Sequence, residues 1–91
     1  MSVTIKLGAP YREITGGVGE LKADGTNLVD LFARLEERYP GFRKVVFDDG
    51  DKLKEHAHLF VNGEDYRLLG GITAPIKDGD VVSVLFALDG G

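Results

Sequence analysis

The run from Val81 to Leu88 constrains the fold of this chain most strongly, because seven of its eight residues are apolar. A strand with one face in water alternates apolar and polar residues, whereas a nearly continuous apolar run is typical of a strand buried on both faces. We therefore predict a final strand at Val81 to Leu88 that lies in the centre of a sheet.

The beginning of the chain predicts a hairpin. Residues 3–7 alternate between apolar and polar side chains, which indicates a half-buried first strand. Gly8-Ala9-Pro10 is expected to stop this strand, and the turn-rich segment 11–19 leads to a short returning strand at Glu20 to Ala23.

The most regular pattern lies between residues 28 and 39. Apolar residues recur there at the spacing of an amphipathic helix: Leu28, Leu31, Phe32, Leu35 and Tyr39. Thr26 or Asn27 is the predicted N-cap, and Pro40-Gly41 is expected to end the helix.

The middle of the chain leaves one alternative open, since residues 45–47 fit either a short strand or a helical turn. Alternation resumes from His56 to Val61. Asn62-Gly63 follows, which is a strong signal for a tight hairpin, and so Glu64 to Leu68 is the predicted partner strand.

These elements together predict the fold. One helix can cover one face of a mixed sheet, and a central last strand lies beside the first strand, parallel to it, through a right-handed crossover that contains the helix. The predicted fold class is α+β, a ubiquitin-like β-grasp with a mixed sheet of four to five strands packed on one main helix. Residues 1–88 form the domain, and residues 89–91 are expected to be a flexible C-terminal tail.

Composition excludes several classes of function. The 91 residues suffice for one domain, and the formal charge of −4 argues against a nucleic-acid partner, whose phosphates require a basic face. There is no apolar stretch of about 18 residues and no signal-peptide pattern, so we expect no membrane span and a cytoplasmic location. The chain has no cysteine, so any sulfur chemistry must use sulfur from elsewhere.

Three features together resemble the ubiquitin-like sulfur carriers of the ThiS/MoaD type: the β-grasp order, the Asp78-Gly79-Asp80 turn and the terminal Gly90-Gly91. Further stretches look most similar to the longer carriers of the CysO type: Thr15-Gly16-Gly17, residues 61–65 with Gly70-Gly71, and residues 76–80. Molybdopterin carriers commonly have a proline pair shortly before the terminal glycines, whereas this chain has Phe86-Ala87-Leu88-Asp89 there.

This resemblance implies a carrier with no catalytic residues of its own, or the small subunit of a synthase complex, and not an enzyme. Gly91 would be adenylated with ATP by an E1-like adenylyltransferase/sulfurtransferase and would then carry a thiocarboxylate. An acceptor synthase would pass the sulfur to cysteine or to molybdopterin biosynthesis. The chain itself is expected to bind no cofactor and to be a monomer when free.

Glycine at the end of the tail suits this chemistry, because a residue without Cβ fits a narrow channel and leaves its carbonyl open to attack. Two other functions use the same fold. A ubiquitin-like modifier would join Gly91 to lysines of other proteins, and a non-covalent β-grasp interaction module would have an inert tail.

The residues beside the tail are the candidate partner contacts. If Val82, Val84 and Phe86 face the helix, Leu85 points to the opposite face of the sheet, where it is either exposed or covered by a loop. Asp89 is expected to pair with a basic group of the partner enzyme, or else to be a solvated charge. The expected partner-binding residues are Leu85, Ala87 and Leu88.

Two clusters that superficially suggest metal ligands are interpreted as surface features. His56 and His58 lie two apart on a strand and lack a clear third ligand. Asp48, Asp49 and Asp51 lack the glutamate that completes a calcium-binding loop. No metal site is predicted.

Overall fold

The computed structural model describes residues 2–49 and 52–87, which are built around one five-stranded mixed sheet. Its strands are β1 (Val3–Leu7), β2 (Glu20–Ala23), β3 (Ala57–Val61), β4 (Glu64–Asp65) and β5 (Val81–Phe86). They lie in the order β2-β1-β5-β3-β4, so that β5 is parallel to β1 and antiparallel to β3. The predicted central position of the final strand is confirmed.

The predicted amphipathic helix is α2 (Leu28–Arg38). Asn27 caps it, because its side-chain oxygen accepts a hydrogen bond from the N–H of Asp30 at 2.8 Å. At 11 residues α2 is the longest helix of the described chain, and none there is long and apolar enough to cross a membrane. Its buried side chains join those of the sheet in a single core: Leu28, Leu31, Phe32 and Leu35.

The segment that fits either a strand or a helical turn is helical for most of its length. Helix α3 (Phe42–Val46) includes two residues of the trio at 45–47, and the third is extended. Gly41 precedes α3 with a left-handed backbone (φ +95°). The Glu36 carboxylate accepts the N–H of Gly41 at 2.7 Å and that of Arg43 at 2.9 Å. These two bonds hold the pKa of Glu36 below its usual value.

The predicted strand at Glu64 to Leu68 is wrong beyond its second residue. The Asp65 carboxylate accepts the N–H of Arg67 at 2.9 Å, and this local bond turns the chain into a 3-10 helix. Side-chain capping here ends the partner strand that the Asn62-Gly63 hairpin signal predicted. The segment between β4 and β5 contains two 3-10 helices, Tyr66–Leu69 and Gly71–Thr73.

A short helix, α1 (Ala9–Arg12), follows β1 where the sequence predicted only a stop and turns. Proline fits the first turn of a helix, because the N–H that it lacks has no helical partner there. The Nε of Arg12 donates to the carbonyl of Leu7 at 3.0 Å, and the side chain of Tyr11 enters the core. The helix therefore packs beside the sheet at the end of β1.

The beginning of β5 is fixed by the turn at residues 78–80. The Asp80 carboxylate accepts the side-chain amide of Asn62 at 3.0 Å and the N–H of Lys77 at 2.8 Å. The side-chain oxygen of Asn62 in turn accepts the N–H of Val81 at 2.9 Å. The Asn62-Gly63 hairpin and the last turn thus hold one end of β5, and the C-terminal segment leaves from the other end.

Candidate functional site

The side chains of β5 divide between the core and the open face of the sheet, which is the face away from α2. Val82 and Val84 are fully buried, whereas Val81 and Ser83 are half-buried on the open face. Leu85 is 42% exposed, so the described part of the chain does not cover it. Of the two alternatives that the sequence left open for Leu85, exposed or covered by a loop, the described residues show the first. Its role in partner binding stays a prediction.

Leu85 belongs to a small apolar patch on the open face. Phe60 of β3 is paired with Ser83, which places its half-buried ring between Val81 and Leu85. Diagonal neighbours on antiparallel strands are within reach of an aromatic side chain. We call Phe60, Val81 and Leu85 the open-face patch. An exposed apolar patch of this kind is typical of a protein-binding surface.

Charged and polar groups border the open-face patch on both sides. Toward β2, the Nζ of Lys22 donates to the hydroxyl of Thr4 at 2.6 Å. Toward β4, the Asp65 carboxylate accepts two bonds from the Arg67 guanidinium, at 3.0 Å and 2.7 Å. The guanidinium bonds, with the Arg67 backbone N–H, lower the pKa of Asp65 to about 2. An apolar centre with a charged rim is the usual anatomy of an interface.

Ala87, the last described residue, is held to the segment before β3 by two hydrogen bonds to His56. The N–H of Ala87 donates to the His56 carbonyl at 3.0 Å, and the His56 Nδ1 lies 3.1 Å from the Ala87 carbonyl oxygen. Because a carbonyl oxygen only accepts, Nδ1 must carry the proton in this contact. Leu85 and Ala87 both lie at the end of β5, where Ala87 also contacts His56. The role of Ala87 in partner binding stays a prediction.

Phe86 lies on the core side of β5 but is not buried as Val82 and Val84 are. Alternation places it on the side of Val82 and Val84, yet its side chain is 42% exposed. The reason is that the helix beside this end of β5 is the four-residue α1, which is too short to cover the ring. The Phe86 ring meets the Tyr11 ring edge-on, with centroids 6.4 Å apart. A groove of about 250 Å³ opens here, and its lining includes Pro10, Tyr11, Val45, His56 and Phe86.

Four of the predicted site residues lie outside the described residues: Leu88, Asp89, Gly90 and Gly91. Their roles stay predictions. Asp51 of the acidic loop lies outside them as well. Within residues 2–49 and 52–87, no group of three or more His, Cys, Asp or Glu side chains is placed to hold a metal ion.

Sequence reasoning found neither the contact of His56 with Ala87 nor the exposure of Phe86. The exposure of Phe86 depends on the length of α1. The contact of His56 with Ala87 depends on the register of β3 against β5, which pairs Ala57 with Phe86. No tight turn joins these two strands, so no local signal fixes their register.

Comparison with known proteins identifies the family whose model this chain matches. The ThiS family model matches residues 5–91, which includes the two terminal glycines. The chain is 36% identical to the sulfur carrier protein CysO of Mycobacterium tuberculosis over 93 aligned positions, with both chains fully covered. It is 29% identical to the small archaeal modifier protein 3 of Haloferax volcanii, again over the full length of both.

A solved structure confirms the fold. A chain in the crystal structure of the Amycolatopsis orientalis BexX/CysO complex superposes with a TM-score of 0.87 at 32% identity, covering 98% of this chain and 99% of that one. The ubiquitin-like β-grasp fold predicted from the sequence is therefore correct.

Proposed function

The chain belongs to the ThiS family, and on that premise we propose that it is a sulfur-carrier protein whose Gly91 carboxylate becomes a thiocarboxylate. An E1-like enzyme activates this carboxylate with ATP. The observation that carries the proposal is the family match, which extends through Gly91 and therefore includes the tail as well as the fold. The full-length identity to CysO supports the same function.

The chemistry follows from the poor reactivity of a carboxylate. A C-terminal carboxyl group has a pKa of about 3.3–3.7, so at neutral pH it is ionised and is a weak electrophile. Attack of this carboxylate on the α-phosphate of ATP releases pyrophosphate and forms an acyl adenylate. Sulfide then displaces AMP and leaves a thiocarboxylate. Because this chain has no cysteine, the sulfur comes from a donor outside it.

The open-face patch supplies the binding free energy that this chemistry requires. Ordering the two terminal glycines in an enzyme channel costs about 1–2 kcal/mol each. Contacts elsewhere on the carrier have to offset that cost. Leu85, with Phe60 and Val81, offers apolar surface at the end of the strand that leads into the tail. We assign Leu85, Ala87 and Leu88 to docking, and Asp89 to an ion pair with a basic group of the enzyme.

The partners are an E1-like adenylyltransferase/sulfurtransferase and an acceptor synthase, and the carrier itself holds no cofactor. The complex of CysO with BexX is a structural precedent for a carrier of this fold bound to another protein. The similarity to CysO favours cysteine biosynthesis as the destination of the sulfur, with molybdopterin biosynthesis second. We place the protein in the cytoplasm.

Intact mass tests the proposal. The chain is incubated with ATP, a sulfide donor and a cell extract of its own organism, and we expect the mass gain of one oxygen-to-sulfur exchange, located at Gly91 by fragmentation. A chain with one alanine added after Gly91 is the control and should show no exchange, since the reactive carboxylate has moved. No exchange in the unextended chain would refute the carrier function.

A second function, protein modification through Gly91, is favoured by one observation. The full-length relatives include the small archaeal modifier protein 3. In this function Gly91 forms an isopeptide bond with a lysine of another protein. Digestion of the same extract with a protease that cleaves after aspartate would then leave a Gly-Gly remnant on the modified lysines, because Asp89 precedes the terminal glycines. If these remnants appear and sulfur exchange does not, the chain is a modifier and not a sulfur carrier.

A further inference from the structure

We propose that His56 is a positioning residue that fixes the point from which the C-terminal tail leaves the domain. Its imidazole holds the carbonyl of Ala87, and this contact sets where Gly91 is presented to the activating enzyme. The inference rests on the proposed function, because it concerns delivery of the same carboxylate.

The contact continues the sheet beyond the last residue of β5. Opposite residues in an antiparallel ladder exchange two N–H···O=C bonds at alternate positions. His56 and Ala87 occupy such a position, one residue beyond the pair Ala57 and Phe86. The N–H of Ala87 makes one bond, to the His56 carbonyl, and the His56 ring makes the second, to the Ala87 carbonyl. The imidazole thereby completes the pairing where regular strand structure ends.

Packing holds the imidazole in this position. The rings of His56 and Phe86 have centroids 5.6 Å apart, and the Phe86 ring also contacts the Tyr11 ring, with centroids 6.4 Å apart. The hydrogen bond from Nδ1 is partly buried, so water competes with it less than at a fully exposed site. Nδ1 carries a proton both in one neutral tautomer and in the imidazolium, so either form of the ring can make the bond.

The contact between His56 and Ala87 determines the length of chain that separates Gly91 from the sheet. Gly91 lies four residues beyond Ala87, a span of at most about 14 Å. If pairing ended instead at Leu85, opposite His58, six residues and at most about 21 Å would separate Gly91 from the sheet. A longer unpaired segment reaches more positions and loses more conformational freedom on binding. By shortening this segment, His56 reduces the number of positions that Gly91 can reach and the conformational freedom lost when it enters the enzyme channel.

Three variants test the proposal. His56→Leu keeps most of the side-chain volume and removes the donor. His56→Asn keeps an N–H donor close to the position of Nδ1. Glu55→Gln changes the exposed neighbouring residue and serves as the matched control. Each is compared with the unaltered chain by thermal unfolding, by amide hydrogen exchange of Ala87, and by kcat/KM in ATP–pyrophosphate exchange with the activating enzyme.

We expect nitrogen NMR of the unaltered chain to show the proton of the neutral His56 ring on Nδ1. His56→Leu should speed Ala87 exchange and lower kcat/KM, each by about 2- to 10-fold, as expected for one hydrogen bond. His56→Asn should recover most of both losses, and Glu55→Gln should leave both unchanged. Recovery by asparagine separates a positioning role from a general loss of packing.

The ring proton on Nε2, or unaltered Ala87 exchange in His56→Leu, would overturn the inference, and so would faster exchange with an unaltered kcat/KM. The nitrogen measurement needs no variant and remains decisive if His56→Leu fails to fold. An unaltered chain that is not adenylated would instead refute the proposed function. An adenylated chain whose His56→Leu variant matches it refutes the positioning role alone.

Discussion

Replacing Leu85 by glutamate should weaken binding to the activating enzyme and leave the fold intact. Complete burial of a leucine side chain is worth about 1.5–3 kcal/mol. Leu85 retains 42% of its surface for a partner, so docking gains about 0.6–1.3 kcal/mol from it. Leu85→Ala should therefore raise Kd by no more than about three- to ninefold. Glutamate adds the cost of desolvating an unpaired carboxylate, about 1–3 kcal/mol or more, so Leu85→Glu should raise Kd at least about tenfold.

Titration calorimetry with the E1-like enzyme measures these changes, and thermal unfolding verifies the fold of each variant. Leu68→Glu is the matched control, because Leu68 is 79% exposed but lies on the 3-10 helix after β4, outside the open-face patch. It introduces the same charge and should leave Kd unchanged. The reasoning fails if Leu85→Glu binds as tightly as the unaltered chain, or if Leu68→Glu weakens binding equally.

Three further variants test the fold. Asn27→Ala removes the α2 cap and should lower the free energy of unfolding by about 1 kcal/mol; equal urea midpoints would contradict this role. Asp65→Asn removes the carboxylate whose pKa the Arg67 bonds lower from 3.8 to about 2. Because the folded-state pKa is lowered, its stabilisation is present above pH 3.8 and is lost as pH falls through about 2. The difference in Tm between Asp65→Asn and the unaltered chain should therefore shrink between these pH values, and a constant difference would refute the linkage. Asn62→Ala loses the bonds to Asp80 and Val81 and strains a left-handed backbone (φ +52°), so its urea midpoint should fall further than that of Asn62→Gly.

The parts of the fold that the sequence predicts correctly have signals within a single element. The apolar run at residues 81–88 predicts the central strand correctly, because a strand between two others buries much apolar surface, although one face of β5 is open and Leu85 there is 42% exposed. The spacing of Leu28, Leu31, Phe32 and Leu35 predicts α2 for a similar reason, since one helix face has to be buried. A burial requirement of this kind can be read from the sequence of one element, without knowing which other elements pack against it.

The errors arise where one side chain or a distant contact decides between two conformations. The hairpin signal at Asn62-Gly63 predicts a partner strand but not its length, and the Asp65 carboxylate binds the Arg67 N–H and ends the strand. Residues 45–47 fit two structures until the Glu36 carboxylate, from α2, caps the turn at Gly41. Pro10 predicts a break but equally suits the first turn of α1.

The candidate site shows the same division. Leu85 was predictable, because alternation along one strand determines the face on which it lies. Phe86 obeys the same alternation, but its exposure depends on the length of α1, which its own strand does not encode. His56 reaches Ala87 only through the register of β3 against β5. Alternation along a strand therefore predicts the face on which a residue lies, but not the residues of other elements that it contacts.

The central position of β5 bears directly on the proposed function, in which the chain is a substrate of its partner enzymes. An edge strand can fray at its end, whereas β5 is paired with β1 on one side and with β3 on the other. Asn62 and Asp80 hold its beginning, and His56 holds its end at Ala87. The open-face patch and the origin of the tail thus lie on two directly paired strands, β3 and β5. Under the proposed function, an enzyme that binds the patch finds Ala87, where the tail begins, at a set distance from it, and recognition of this surface would decide which carboxylate is activated.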